Sequence, residues 1–421
     1  MKIQNVVARE IIDSRGNPTV EVDVFTDVSM GRAAASSGAS TGTREALELR
    51  DGDKKRFAGK GVLKAVANAV ELGKKLKGRD AEEQRKIDDI LVKEAGPNKM
   101  KLGANTTTAL SLAACAAAAN GKHQPIYQYL NPKAVTLPVP MMNIVNGGKH
   151  AGGKLAVQEF MIVPLKFSRF ADALRAGCEI YHILGGILEK KYGKSARNVG
   201  DEGGYAPQID ATEEALSAIN EAIEKSGYSG KVFIGMDVAA SSFFADGKYE
   251  IDGKKLDSAE LLQFYTDLVK KWPIVLIEDP FEEDDYASFA AMTKELGGKI
   301  QIIGDDLLVS NLEYLKKGIE MKAANAILLK VNQIGTLTEA MDTAQYALKN
   351  KWSVVVSHRS GETEGTFIAD LAVALECGQI KTGAPARSER TAKYNRLLRI
   401  EEELGKNAKF GPCSGASLRA R

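Results

Sequence analysis

Apolar and polar residues alternate through the first part of the chain: Val20, Val22 and Val24 would face one way, Glu21, Asp23 and Thr26 the other. With Ile3 to Ile12 in front and Gly16-Asn17-Pro18 between, this pattern predicts an antiparallel hairpin over residues 1 to about 27. The run from Ala33 to Gly42 has no period and too little bulk for a core, so it reads as a loop. From about residue 44 to 120 the spacing is helical, punctuated by Gly59, Gly78 and Gly103. It ends in the alanine-rich stretch Ala109 to Ala119, which suits a close helix packing site. Strands followed by a block of helices predict a compact α+β unit.

Pro132, Pro138 and Pro140 mark a junction, and the chain divides into units 1–133 and 134–421. Beyond the junction strands and helices alternate. Asp210 with Glu213 reads as a capping box opening a helix that buries Leu216, Ile219 and Ile223. Ser258 opens another, with Leu261, Leu262, Tyr265, Leu268 and Val269 inward, and Thr336 with Glu339 opens a third. Between them lie short apolar runs at Val232–Met236, Ile274–Ile277, Ile300–Ile303, Ile327–Leu329 and Val354–Val356. Repeated βα units over one domain predict an α/β fold, a closed TIM-like (β/α)8 barrel; periodicity alone leaves an open parallel sheet as the alternative.

Composition narrows the function classes. The 421 residues are 44% hydrophobic and 27% charged, and 57 basic side chains nearly balance 55 acidic ones. A net charge of +2 gives no electrostatic footprint for nucleic acid. Cys115, Cys178, Cys377 and Cys413 are widely scattered, without metal-finger spacing, and read as reduced thiols. Met1-Lys2-Ile3-Gln4-Asn5 carries no apolar signal core and no run approaches membrane-spanning length, so a cytoplasmic location is expected. The terminal Arg421 gives no support to a role that needs a C-terminal lysine.

The candidate chemistry lies where the apolar runs end. Asp237, Glu278, Asp305, Lys330, His358 and Lys381 terminate successive runs, each about one βα unit from the next. A barrel would gather them around one mouth, the face where such folds do chemistry. Singly, each acid reads as a helix cap or a solvated strand end. Three carboxylates from three consecutive strands would repel one another, so a bound cation is implied, and oxygen ligands without His or Cys suit Mg²⁺. Asp305 is preferred over Asp306 because it ends its strand. Lys330 either snorkels into water or is a desolvated amine with a lowered pKa, able to act as a base beside a cation and Lys381. His358-Arg359-Ser360-Gly361-Glu362 offers a guanidinium, a hydroxyl and backbone N–H groups to an anion. Upstream, Asp201-Glu202 sits between glycines, His150 lies on a glycine-rich loop, and Glu159 enters an apolar run where a charge needs a partner.

Ordered along the chain, these motifs resemble the enolase family, the 2-phosphoglycerate hydratases. The resemblance runs through Asp13 to Val20, Ser37 to Gly42, His150-Ala151-Gly152, Gln158 to Met161 and Gly200 to Gly204. It continues through Asp237 to Ser241, Ile277 to Pro280, Gly304 to Leu307, Leu329 to Gly335, Ser357 to Glu362, and Ile380 to Gly383 with Ser388-Glu389-Arg390. It implies an N-terminal α+β domain capping a barrel with irregular first strands. It further implies Mg²⁺-dependent, reversible dehydration of 2-phosphoglycerate to phosphoenolpyruvate. Asp237, Glu278 and Asp305 would hold the first of two Mg²⁺ ions, and Ser40 the second, bound with substrate. Lys330 would remove the C2 proton and Glu202 would help expel the C3 hydroxyl, with Glu159 crowding Glu202 and raising its pKa. Lys381 would meet the substrate carboxylate, Arg359 and Ser360 the phosphate, and His150, Gln158, Glu159 and His358 would complete the site. A homodimer or larger homo-oligomer is expected. The sequence departs from the family pattern at Ala35-Ser36-Ser37, where a proline is usual, at Gly153, and at Ser242 in place of glutamate. The competing readings are an acid-sugar dehydratase on the same barrel and a non-catalytic structural or surface-binding homologue; the Arg359-Ser360 pair and the complete catalytic set argue against them.

Overall fold

The computed structural model describes residues 1–38, 42, 44–412 and 418. Strands β1 (Ile3–Ile12), β2 (Pro18–Thr26) and β3 (Met30–Ala34) form an antiparallel sheet in the order β1-β2-β3. The expected hairpin is present, with a third strand taking in Ala33 and Ala34, which the sequence placed in a loop. The outward face of β2 is also covered: Asp23 is buried because Arg9 and Arg32 both bond its carboxylate.

Helices α1 (Leu63–Leu76) and α3 (Ala104–Gly121) pack on this sheet, and α2 (Gln84–Ala95) packs against α3. Between residues 44 and 62 the chain forms only a short 3₁₀ turn, Phe57–Gly59, not the helix its spacing predicts. Long-range bonds hold that stretch instead, such as Arg50 to the Pro18 carbonyl at 2.5 Å. The alanines of α3 let β3 approach to backbone contact. A Cβ added at Gly31 would stand 2.0 Å from the Ala117 nitrogen.

The second unit is a closed barrel of eight strands: β4 (Val139–Asn146), β5 (Glu159–Pro164), β6 (Val232–Asp237), β7 (Ile274–Glu278), β8 (Gln301–Gly304), β9 (Ala326–Leu329), β10 (Ser353–Ser357) and β11 (Gln379–Lys381). All of these residues are buried, as expected of strands covered on both faces. Outer helices include α4 (Phe170–Tyr192), α5 (Thr212–Lys225), α6 (Ser258–Lys271), α7 (Tyr286–Leu296), α8 (Leu312–Met321), α9 (Leu337–Lys349), α10 (Phe367–Ala374) and α11 (Ser388–Leu404).

Neighbouring strands are parallel except β5, which is antiparallel to both β4 and β6. Topology explains the reversal. The β4–β5 link contains only a one-turn helix, Gly148–Ala151, and stays at one end of the barrel. Two long helices, α4 and α5, then lie between β5 and β6; the second undoes the return made by the first.

The caps differ in detail from the sequence pattern. Asp257, one residue before Ser258, makes the capping box with Glu260. Asp210 does not cap α5; the Asp252 carboxylate takes the Thr212 N–H at 3.0 Å, and Asp210 pairs with Lys154. The start of α9 is capped across units: Thr336 accepts from Glu339, while Ser111 of α3 and Asp88 of α2 accept the N–H groups of Leu337 and Thr338, both at 2.9 Å.

Gly31→Ala is expected to destabilise the protein by about 2–3 kcal/mol, because backbone rather than a movable side chain blocks the new methyl group. Urea unfolding beside the wild type measures it; an unchanged midpoint would contradict the close packing of β3 on α3.

Candidate active site at the barrel mouth

Parallel strands bring their last residues to one rim, and five residues named by the sequence pattern meet there for that reason: Asp237, Asp305, Lys330, His358 and Lys381 line one cleft. Glu278, ending β7, lies just behind them with no exposure. Glu159 joins because β5 runs backwards, so its first residue pairs with Asp237 at the end of β6. His150, Gln158, Glu202, Arg359 and Ser360 complete the lining, together with Asp279 and Asp306. Ser40 lies outside the described residues.

One end of the cleft is a carboxylate–ammonium network. Lys381 Nζ bonds Asp237 Oδ2 at 2.9 Å and both oxygens of Glu278 at 2.9 Å, and stands 3.3 Å from Glu159 Oε2. Burial works against its charge, but Asp237, Glu159 and Glu278 outweigh burial and hold it well above the ordinary lysine range. Lys330 donates to Asp305 Oδ2. Its pKa is therefore raised, not lowered as the sequence suggested: burial, Arg359 and Lys381 favour the neutral amine, and the Asp305 carboxylate outweighs them.

Negative charge still exceeds what two lysines balance. Burial, then the charge of Asp237, pushes Glu278 well above the usual range, and burial with Asp305 pushes Asp306 up to about 7. Asp279 is raised as well, by burial and by Asp306. Its two oxygens already accept the backbone N–H groups of Asp305 and Asp306, at 2.9 and 2.8 Å, so it shapes the end of β8. Asp279, Asp305 and Asp306 lie close enough to share an ion. An oxygen-only donor set with surplus negative charge fits a hard divalent cation.

The other end is built around Glu202 and Glu159. Asn143 donates to Glu202 Oε2 at 3.0 Å and Ser360 Oγ to Oε1 at 3.3 Å, while His358 Nε2 stands 3.4 Å from Oε2. Burial alone would favour protonated Glu202, but facing His358, His150 and Arg390 hold it well below the usual carboxylate range. Glu159 moves the other way, raised by burial and by Glu202, with Lys381 offsetting only part. The expected crowding is real, but it raises Glu159 rather than Glu202. The reason is the unequal supply of donors: Glu159 Oε2 accepts no hydrogen bond.

Two family models match the chain, "Enolase, N-terminal domain" over residues 3–130 and "Enolase, C-terminal TIM barrel domain" over residues 134–419. A curated protein named Enolase from Methanocaldococcus jannaschii is 58% identical over 408 residues, covering 96% of each chain. Another of that name from Methanosarcina barkeri is 57% identical over 413 residues, covering 97% of this chain and 96% of its own. A third, from Methanopyrus kandleri, is 57% identical over 419 residues, covering 98% of each. The chain belongs to the enolase family.

Within this enolase-family fold, several residues at the site escaped the sequence reading. Arg359 is bonded to Glu45 at 2.9 and 3.1 Å and to Asn332 Oδ1 at 3.0 Å. Glu45 comes from the N-terminal unit and carries no motif of its own. Asn143 is a buried amide inside an apolar strand. Arg390 and Lys393 did leave a signal: with Tyr394, Leu397 and Ile400 they occupy one buried face of α11, where bases need partners. At the family departures, the Ser36 carbonyl oxygen accepts from Asn332 Nδ2 at 2.8 Å. Gly153 has φ +90°, where a side chain is strained. Ser242 lies in a 3₁₀ turn outside the cleft lining. Among the described residues no helix is long and apolar enough to cross a membrane.

His358 is lowered to about 4, chiefly by burial. An unfolded histidine titrates near 6.5, so the unfolded chain binds more protons between these values and stability falls as pH drops through that window. From pH 7.5 to 5.0 the loss should be about 2 kcal/mol from this residue. Urea midpoints at both pH values should therefore differ less in His358→Gln than in the wild type.

Proposed function

We propose that the cleft catalyses the reversible dehydration of 2-phosphoglycerate to phosphoenolpyruvate, a hydro-lyase reaction of glycolysis and gluconeogenesis. The observation that carries this reading is that Lys330 and Glu202 line one cleft, the first among carboxylates suited to a divalent cation, the second among imidazoles and a serine hydroxyl. The family membership supports it. The same reading divides the chain into a capping unit, 1–133, and a catalytic barrel, 134–421, and takes the protein to be a cytoplasmic homo-oligomer.

Asp237, Glu278 and Asp305 would hold one Mg²⁺, and Ser40 would help hold a second that arrives with substrate; bound there, the ions supply positive charge to the substrate carboxylate. Lys381 adds an ammonium to the same end, where negative charge grows as the C2 proton leaves. Lys330 takes that proton on Nζ. To do so it must first release its own to solvent, and Arg359 and Lys381 are the neighbours that favour the neutral amine. Across the cleft Glu202, once it has taken up a proton from solvent, gives that proton to the C3 hydroxyl, which departs as water. Since Glu202 is ionised in the free site, it is ready for the reverse direction, in which it takes a proton from attacking water. Glu159 and His150 stand beside it. Arg359 and Ser360 would bind the phosphate, with Arg359 exchanging part of its bond to Glu45 for the new anion, while His358 and Gln158 close the pocket.

Phosphoenolpyruvate formation followed by ultraviolet absorbance should be abolished by EDTA and restored by Mg²⁺. Lys330→Ala should lower kcat by about 10²–10⁴-fold, the scale of a lost general base. Activity surviving chelation would overturn the metal assignment, and an active Lys330→Ala the proton acceptor. Glu202→Gln should fall by a similar factor, about 10²–10⁴, while folding normally by circular dichroism.

A further inference from the structure

We propose that Arg390 is a positioning residue that locks His358 in the tautomer carrying its proton on Nε2, so that a fixed N–H donor faces Glu202. The inference rests on the dehydration reading for its functional consequence, but its structural content stands on geometry.

Arg390 lies in the first turn of α11 and has no solvent exposure. Its Nη1 is 2.5 Å from His358 Nδ1 and 2.7 Å from the Arg359 carbonyl oxygen. Its Nη2 is 2.6 Å from the Ser360 carbonyl oxygen and 3.1 Å from that of Asp201. A guanidinium has donors and no acceptor, so Nδ1 can meet it only with a lone pair. A neutral imidazole with Nδ1 unprotonated carries its single proton on Nε2. The imidazolium is disfavoured for the same reason, since its Nδ1–H would point at an N–H of Arg390. The three carbonyls hold the guanidinium plane, so it cannot swing away to tolerate the other tautomer.

The consequence reaches Glu202. Its Oε2 accepts a hydrogen bond from Asn143 Nδ2 at 3.0 Å and has His358 Nε2 3.4 Å away, close to it but without a formed hydrogen bond. Oε1 accepts from the Ser360 hydroxyl at 3.3 Å, with His150 Nδ1 at 3.8 Å. With the proton on Nδ1 instead, the Nε2 lone pair would confront the Oε2 carboxylate oxygen. Arg390 also ties the Asp201 carbonyl, next to Glu202, to the Arg359 and Ser360 carbonyls, so one side chain indexes both loops against each other.

The chain has four histidines, so histidine-selective ¹⁵N labelling resolves the question, with His358→Gln assigning the signal by its loss. At pH 7.5 the wild type should show His358 with an unprotonated Nδ1 and a protonated Nε2. A protonated Nδ1, or a rapidly averaged pair, overturns the proposal. In Arg390→Met the tautomers should average and kcat should fall about 10²-fold or more, as when a catalytic imidazole is left in the wrong form, with KM within about threefold. Arg390→Lys, which still offers only donors, should keep the Nε2–H form and lose less activity. A folded Arg390→Met with wild-type tautomer or wild-type kcat overturns it; should that variant not fold, the wild-type and Arg390→Lys spectra decide. A wild type without phosphoenolpyruvate formation would sink the dehydration reading and leave the tautomer result to be read on its own.

Discussion

The ammonium of Lys381, buried among Asp237, Glu278 and Glu159, is the interaction on which the rest of the barrel mouth depends. An isolated charge at that depth would be untenable, and removing one member of such a group costs about 3–5 kcal/mol because the others are left unpaired. Its partners come from β5, β6 and β7 and the lysine from β11, so the arrangement exists only if the sheet closes and β5 is reversed. The surplus of acid at this end and of imidazole and guanidinium at the other gives the cleft its polarity. That polarity shifts Glu159 and Glu202 in opposite directions.

The N-terminal unit takes part in this balance rather than merely covering it. Glu45 supplies the counter-charge for Arg359, and Lys99 reaches Glu339 on α9 at 2.9 Å. Ser111 and Asp88 satisfy the first N–H groups of α9. Each contact joins a polar group of one unit to a partner in the other, which ties their relative placement to hydrogen-bond chemistry as much as to apolar packing.

Much of this was legible in the sequence, for a physical reason. A strand buried on both faces can carry a charged residue only at its end, so the residues closing the apolar runs announced the rim: Asp237, Glu278, Asp305, Lys330, His358 and Lys381. Glu159 was legible as a charge entering such a run, and the alanines of α3 as a surface for close approach. What the pattern could not carry was pairing at a distance. The direction of the Lys330 and Glu202 shifts depends on Asp305 and on Asn143, His358 and Arg390, which meet only in the folded chain. Asp210 had the spacing of a cap and lost the role to Asp252, which lies 40 residues from Thr212 in the chain. The stretch after residue 44 had a helical period, but its backbone and side chains are committed to partners elsewhere.

The reversed strand has one more consequence. Because β4 leads into β5 without a crossover, the stretch from Gly147 to Gln158 never travels to the far end of the barrel. One short length of chain thus delivers His150, Gln158 and Glu159 to the same corner, anchored at both ends by paired strands. Variation in the outer layer of helices can drift without dragging that corner along, and variation within the stretch can retune the corner while sparing the scaffold.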